Sequence, residues 1–262
     1  MPIETRNLTL SYQRQIIIDN LDIRLPQGKV TVLIGSNGSG KSTLLKSFAR
    51  LLKPERGTVI LNGADIQTRS TGAVARELAI LPQMPDAPEG ITVRQLVSLG
   101  RYPWQSWMQQ WSKQDEERVQ YALIQTGMVS LAERPVDALS GGQRQRAWIA
   151  MTLAQDTPVV LLDEPTTFLD LAHQVEVLDL LRELNRQEQK TIVMVLHDLN
   201  LACRYADHLV AVHNRTVFAQ GAPATILNEA LVKTVFDLNC RIIEDPFFAT
   251  PLCIPFGREC PP

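Results

Sequence analysis

The densest chemistry in the sequence lies between residues 35 and 43. Gly35-Ser36-Asn37-Gly38-Ser39-Gly40-Lys41-Ser42, with Thr43 following, has the Gly-x4-Gly-Lys-Ser spacing of a phosphate-binding loop. Glycines there let backbone N–H groups turn inward around phosphate oxygens, and a helix that begins at the lysine adds positive potential. Lys41 would reach the β and γ phosphates of a nucleoside triphosphate, and Ser42 would ligate Mg2+. A glycine-rich turn that binds nothing is the simpler alternative. The flanks argue against it, with an apolar strand-like run before and Leu44, Leu45, Phe48, Leu51 and Leu52 at helical spacing after.

Two further clusters carry chemistry. Val159-Val160-Leu161-Leu162-Asp163-Glu164 is an apolar run ending in adjacent carboxylates, whose side chains strand alternation would send in different directions. Asp163 is assigned to Mg2+ through a bound water, and Glu164 to polarising the attacking water as general base. Alone, the pair would read as a solvated strand end turning at Pro165. Beside a phosphate-binding loop it reads as hydrolytic chemistry. Leu139-Ser140-Gly141-Gly142-Gln143 then opens a helix: Ser140 and Gln143 form a Ser-x-x-Gln capping box, while the two glycines leave N–H groups uncovered at a second anion-binding helix end. One nucleotide has no obvious need of two such ends from one monomer.

The elements that must hold these groups follow from periodicity. The first 35 residues read as strands, through Asn7 to Tyr12, Ile16 to Leu25 and Val30 to Ile34, and a helix is expected from Lys41 to Leu52 with Pro54 and Gly57 as its stop. Between Gly90 and Leu139 the β-branched runs give way to helical signals. Thr92 and Gln95 form a capping box, Ser112 precedes acidic Asp115, Glu116 and Glu117, and Gly127 closes the second helix. This reads as an inserted helical lobe. Afterwards β and α alternate again: Val159 to Leu162, a helix from Leu171 to Asn185, Thr191 to Leu196, a helix from Asp198, then strands near Leu209 and Val217. Such alternation implies a mainly parallel sheet with covering helices. In the tail only Arg241 to Glu244 reads as strand.

Composition narrows the classes. The 262 residues are 45% hydrophobic and 21% charged, ordinary for a globular chain, and 26 Lys and Arg against 28 Asp and Glu give a net charge of −2. No global positive field holds nucleic acid, so none is expected as a partner. Cys203, Cys240, Cys253 and Cys260 show no Cys-x-x-Cys spacing and no nearby histidine pattern, which speaks against zinc or redox chemistry and for a reducing compartment. The N-terminus lacks a charged and then apolar leader, and aliphatic runs such as Ile192 to Leu196 are too short for a bilayer; neither export nor spanning is expected.

Taken in order, the phosphate-binding loop, Leu-Ser-Gly-Gly-Gln and the Asp-Glu strand end resemble the nucleotide-binding subunit of ATP-binding-cassette (ABC) transporters, over essentially residues 3–245. The resemblance implies an α/β P-loop NTPase fold: a mainly parallel sheet core, an N-terminal antiparallel β portion and an inserted helical subdomain. The whole chain would be one ABC ATPase domain, with a RecA-like core over about 1–89 and 155–245, a helical subdomain over about 90–154 and a short tail, 246–262. ATP and Mg2+ are the implied ligands. Ser140, Gly141, Gly142 and Gln143 would contact the γ-phosphate held by a second copy, so that two chains sandwich two ATP molecules head to tail. Tyr12, placed ahead of Gly35 where the family stacks an aromatic on adenine, would do so here, its alternative being an ordinary strand aromatic. Gln83, after the strand Leu78 to Leu81, matches the glutamine that touches Mg2+ and links to the helical lobe. Asp170 matches the D-loop aspartate, and His197 the switch histidine that hydrogen-bonds the γ-phosphate. Permease subunits, and indirectly a substrate-binding protein, are the implied partners, with the chain peripheral on the cytoplasmic face of the inner membrane.

Finer segments are most similar to the ATPases of ferric siderophore importers: Gly100-Arg101-Tyr102-Pro103, Gln110-Trp111-Ser112, the run from Gln143 to Met151, Thr166 to Gln174, and Leu196 to Asn200. Related importers of cobalamin, haem or metals have similar ATPases, and a soluble cassette protein with an assembly or signalling role shares the motifs. A P-loop kinase would leave Ser140 to Gln143 without a task. Thr167-Phe168-Leu169-Asp170 replaces the commoner Ser-Ala-Leu-Asp, and the turn at Asn214-Arg215 lacks the usual glycine. Tyr102, Trp104, Trp107 and Trp111 either pack the core of the helical lobe or border, with Gln83, a groove for a short permease helix.

Overall fold

The N-terminal strand β1 (Ile3–Tyr12) buries Ile3 and Thr5, exposes Arg6 and Asn7, then buries Leu8, Thr9 and Leu10 in succession and ends at exposed Tyr12. It pairs antiparallel with β2 (Gln15–Leu21), β3 (Arg24–Leu25) and β5 (Arg56–Leu61), and β5 pairs with β6 (Ala64–Asp65). Asn7, at φ 47°, coincides with the register break against β5. Between β3 and β5 in chain order, β4 (Val30–Ile34) is buried at every position and leads through the glycine-rich loop into α1 (Lys41–Phe48). The computed structural model describes residues 2–12, 15–83, 87–106, 111–167 and 169–256, which form two compact units, Met1–Thr68 with Thr191–Pro262, and Arg69–Lys190.

Helix α1 stops four residues short of the expected Leu52. Arg50 takes φ 60°, Leu51 N–H donates to Lys46 O at 2.9 Å and Arg50 N–H to Ser47 O at 3.1 Å, a Schellman-type end with arginine in the place usually given to glycine. Burial of Leu44, Leu45 and Phe48 holds the helix, at roughly 1.5–3 kcal/mol for each side chain.

The second unit contains α2 (Thr71–Ala75), β7 (Leu78–Leu81), α3 (Val93–Leu99), α4 (Lys113–Gln125), α5 (Gly141–Ala154), β8 (Val159–Asp163) and α6 (Leu171–Glu188). β7 and β8 pair in parallel, Leu78 opposite Val159 through Leu81 opposite Leu162. Helices α3, α4 and α5 pack on one another through Leu96, Val97, Val119, Leu123 and Ile149. Capping boxes start all three, at Thr92/Gln95, Ser112/Asp115 and Ser140/Gln143, and Gly127 follows α4 at φ 66°. A buried ion pair ties them together: Arg101 donates to Asp115 Oδ1 at 2.8 Å and to Ala154 O at 2.7 Å. Burial raises the Asp115 pKa, but hydrogen bonds from Ser112 and Arg101 outweigh it and hold the carboxyl below its usual range. The described members of the aromatic cluster do not fill this core. Tyr102, Trp104 and Trp111 are exposed, and Trp107 lies outside the described residues.

The chain then returns to the first unit with β9 (Thr191–Val195), α7 (Leu199–Tyr205), β10 (His208–His213), β11 (Thr216–Gly221), α8 (Pro223–Ile226) and α9 (Glu229–Phe236). In this unit β4 lies between β9 and β10, parallel to both, and β11 adds antiparallel to β10. Fully buried, mainly aliphatic runs in β4 and β9 are what a parallel sheet covered on both faces requires. A hairpin of β12 (Cys240–Glu244) and β13 (Pro251–Pro255) ends the described chain. No helix among the described residues is long and apolar enough to cross a membrane.

Candidate functional site

The phosphate-binding loop lies in the first unit. Its helix, α1, begins behind Gly40 with no side-chain cap, so its first N–H groups are not claimed by a capping side chain. Gly40 itself has φ 103°, and a Cβ there would lie 2.9 Å from Ile17 Cγ2. Lys41 is buried, and its ammonium donates to Gly35 O and Ser36 O at 2.9 Å each, which holds the charge across the mouth of the loop. The Ser39 hydroxyl is buried and has no hydrogen-bond partner among the described residues. Ser36, Asn37, Gly38 and Ser39 line a cleft of about 270 Å³ together with Gln15, Ile17 and the turn His213-Asn214-Arg215. Ser42 and Thr43 are half-buried in the first turn of α1. Tyr12 ends β1 beside Gln15, 64% exposed, as a stacking surface must be. His197 is exposed just beyond β9, and Asp198 caps α7 by accepting Leu201 N–H at 2.8 Å.

The second unit holds the carboxylates. Asp163 is 2% exposed at the end of β8. Glu164 has left the strand: at φ 56° it turns the chain, so this twist, rather than strand alternation, separates the two side chains. Gln83 Nε2 donates to Glu164 Oε2 at 2.6 Å, and Thr167 Oγ1 donates to the same oxygen at 3.0 Å. A carboxylate fixed by two donors has one defined direction in which to accept a proton. Among the described residues no group of three His, Cys, Asp or Glu side chains could hold a metal; within the second unit Asp163 and the amide of Gln83 are oxygen donors of the kind that suits Mg2+.

Ser140 accepts Gln143 N–H at 3.3 Å and donates its own N–H to Gln143 Oε1 at 3.2 Å, so the predicted capping box is present. Gly141 is exposed and Gly142 buried. Asp170 caps α6, accepting His173 N–H at 2.9 Å and lying 2.6 Å from His173 Nδ1; the backbone bond first, and the ring second, hold its carboxyl below the ordinary carboxylate range.

Loop, strand-end acid pair and glycine helix start thus occur in one chain with the local geometry each needs. A family model described as ABC transporter matches residues 18–167. The chain belongs to the ABC transporter family. Among curated relatives of this ABC chain, the Achromobactin transport ATP-binding protein CbrD of Dickeya dadantii is 82% identical over 259 residues, 99% of this chain and 96% of that one. The Petrobactin import ATP-binding protein FpuD of Bacillus anthracis is 62% identical over 256 residues, 98% of this chain and 94% of that one. The dimeric structure of a post-hydrolysis ATP-binding cassette bound to ADP and Pi is similar with a TM-score of 0.74 at 25% identity, covering 84% of this chain and 98% of that one. The fold is therefore that of an ABC ATPase, an enzyme that binds nucleotide and couples ATP hydrolysis to transport.

This ABC ATPase has site neighbours that motif spacing alone did not single out. Thr167, three residues past Glu164, and His173, three past Asp170, both stand at the short-range spacing of side-chain turns and caps, which is the signal that could have found them.

Proposed function

We propose that this chain is the ATP-hydrolysing subunit of an importer of iron–siderophore complexes, peripheral on the cytoplasmic face of the cell membrane. It works with separate permease subunits and, through them, a substrate-binding protein. The observation that carries the cargo class is the 82% identity, over nearly the whole length, to a protein named for achromobactin transport. In this reading two copies close head to tail around two Mg·ATP. Lys41 and the loop N–H groups of Gly35 to Thr43 hold the phosphates of one nucleotide, Tyr12 stacks on adenine, and Ser140 to Gln143 of the second copy cover the γ-phosphate. Ser42, Gln83 and, through a water, Asp163 would hold Mg2+, which would supply neutralisation of the phosphate charge. Glu164 takes the proton of the attacking water, His197 hydrogen-bonds the γ-phosphate, and Asp170 lies at the contact between copies. ATP binding favours the closed dimer; hydrolysis and phosphate release favour reopening, which is the step a permease can use.

The hydrogen bonds to Glu164 make its test sharp. Glu164→Gln keeps the shape of the side chain and removes the base, so turnover should fall by about 100-fold or more while ATP binding persists and ATP-bound dimer accumulates. Undiminished hydrolysis would remove the assignment. Lys41→Ala should lose nucleotide binding itself, read by a fluorescent ATP analogue. In cells lacking the native gene, the intact chain should restore uptake of labelled ferric achromobactin and Lys41→Ala should not. Uptake independent of this chain for every ferric siderophore tried would overturn the cargo class.

A further inference from the structure

The second glycine of Ser140-Gly141-Gly142-Gln143 is not required by its backbone. Gly142 lies inside α5 and has no positive φ. What excludes a side chain is a neighbour: a Cβ at position 142 would lie 2.8 Å from His173 Cδ2, 3.1 Å from Cγ and 3.4 Å from Nε2. The ring is tethered at its other edge: Asp170 Oδ1 lies 2.6 Å from Nδ1 and also accepts the His173 backbone N–H at 2.9 Å. Asp170, His173 and Gly142 therefore form one chain of contacts from the start of α6 to the start of α5.

We propose that His173 is a positioning residue: held by Asp170, its ring is the abutment that seats the Ser140–Gln143 helix start, and this ring is what requires glycine at position 142. The inference rests on the proposed function, in which that helix start meets the γ-phosphate held by a second copy. His173 need not touch nucleotide. It sets where the N–H groups of Gly141 and Gly142 stand, and it makes any displacement of the turn at Asp170 a displacement of the helix start as well.

The test uses the full chain carrying Glu164→Gln, with ATP-driven dimerisation followed by analytical ultracentrifugation and nucleotide affinity measured on monomer at low protein concentration. His173→Ala should leave monomer affinity for a fluorescent ATP analogue within about twofold, since the loop of Lys41 is untouched, yet weaken dimerisation by about tenfold. Gly142→Ala should weaken dimerisation at least as much and lower the melting temperature by overpacking. The double variant Gly142→Ala/His173→Ala should recover both relative to Gly142→Ala, the non-additivity expected of side chains in contact. His173→Asn, smaller but still able to reach Asp170, should relieve Gly142→Ala in the same way. A double variant no better than Gly142→Ala in either measurement overturns the proposal. If the Glu164→Gln parent never dimerises with ATP, the proposed function fails instead, and the melting-temperature cycle on monomer still decides whether the ring demands glycine.

Discussion

Gly40 and Gly142 occupy equivalent-looking places, each at the start of a helix, and are glycine for different physical reasons. Gly142 is crowded by an imidazole, whereas Gly40 combines φ 103° with a virtual Cβ 2.9 Å from Ile17 Cγ2 and 3.1 Å from Ile18 Cδ1. An alanine at position 40 must accept a backbone conformation that L-residues rarely adopt and push β2 away from the loop, at a cost of about 1–3 kcal/mol. Gly40→Ala should accordingly lower the melting temperature and weaken ATP binding together, measured by thermal unfolding and by titration with a fluorescent ATP analogue. Normal binding by the variant would mean that the loop can relax without losing its phosphate geometry. The sequence pattern identified both glycines as motif members, because spacing is local information. It could not say why either is glycine, since Ile17 and His173 reach them only through the fold. The turn at Asn214 and Arg215 makes the same point: lacking glycine, it still closes a hairpin, with φ 46° and 66° at the two residues.

At the scale of elements, what was legible followed the range of the interaction that makes each one. The caps at Thr92, Ser112 and Ser140 depend on residues three apart and stood as expected. The end of α1 and the last strand did not. β13 is bracketed by Pro251 and Pro255, which argue against a strand; it forms because it pairs with β12 and because Asn200 bonds Cys253 on both sides, accepting its N–H at 2.8 Å and donating to its O at 3.2 Å. That hairpin also seals α7. Burial first, and the neighbouring thiol and Asp198 second, push Cys203 up to about 12, and burial with Cys240 does the same for Cys253. Both thiols therefore stay protonated at neutral pH, and since the thiolate is the reactive form, both are inert there. In the folded protein at pH 8, neither should be modified by iodoacetamide, whereas both react in denaturant; mass spectrometry of the labelled peptides reads this directly. Rapid native labelling of Cys253 would mean that the hairpin opens.

At the scale of the whole molecule, the question is how a chain with net charge −2 and no membrane-crossing helix among its described residues meets a permease. The exposed aromatics of the second unit are the candidates, and they are not equivalent. Trp104 donates its Nε1–H to Gln155 O at 2.7 Å and lies within 5.5 Å of the Arg76 guanidinium and 5.3 Å of that of Arg101, so removing it disturbs the unit itself. Tyr102 is 77% exposed, and among the described residues its side chain has no hydrogen-bond partner. Little of its surface is used within this chain, and a large exposed aromatic beside an ordered tryptophan suits an anchor for a partner helix. Tyr102→Ala should therefore leave stability within about 0.5 kcal/mol and keep the ATPase of the isolated chain. Copurification with the permease subunits should fall by about tenfold or more, the loss expected when an interface anchor is truncated. Unchanged copurification would locate the permease contact elsewhere, and a large fall in melting temperature would return Tyr102 to a packing role.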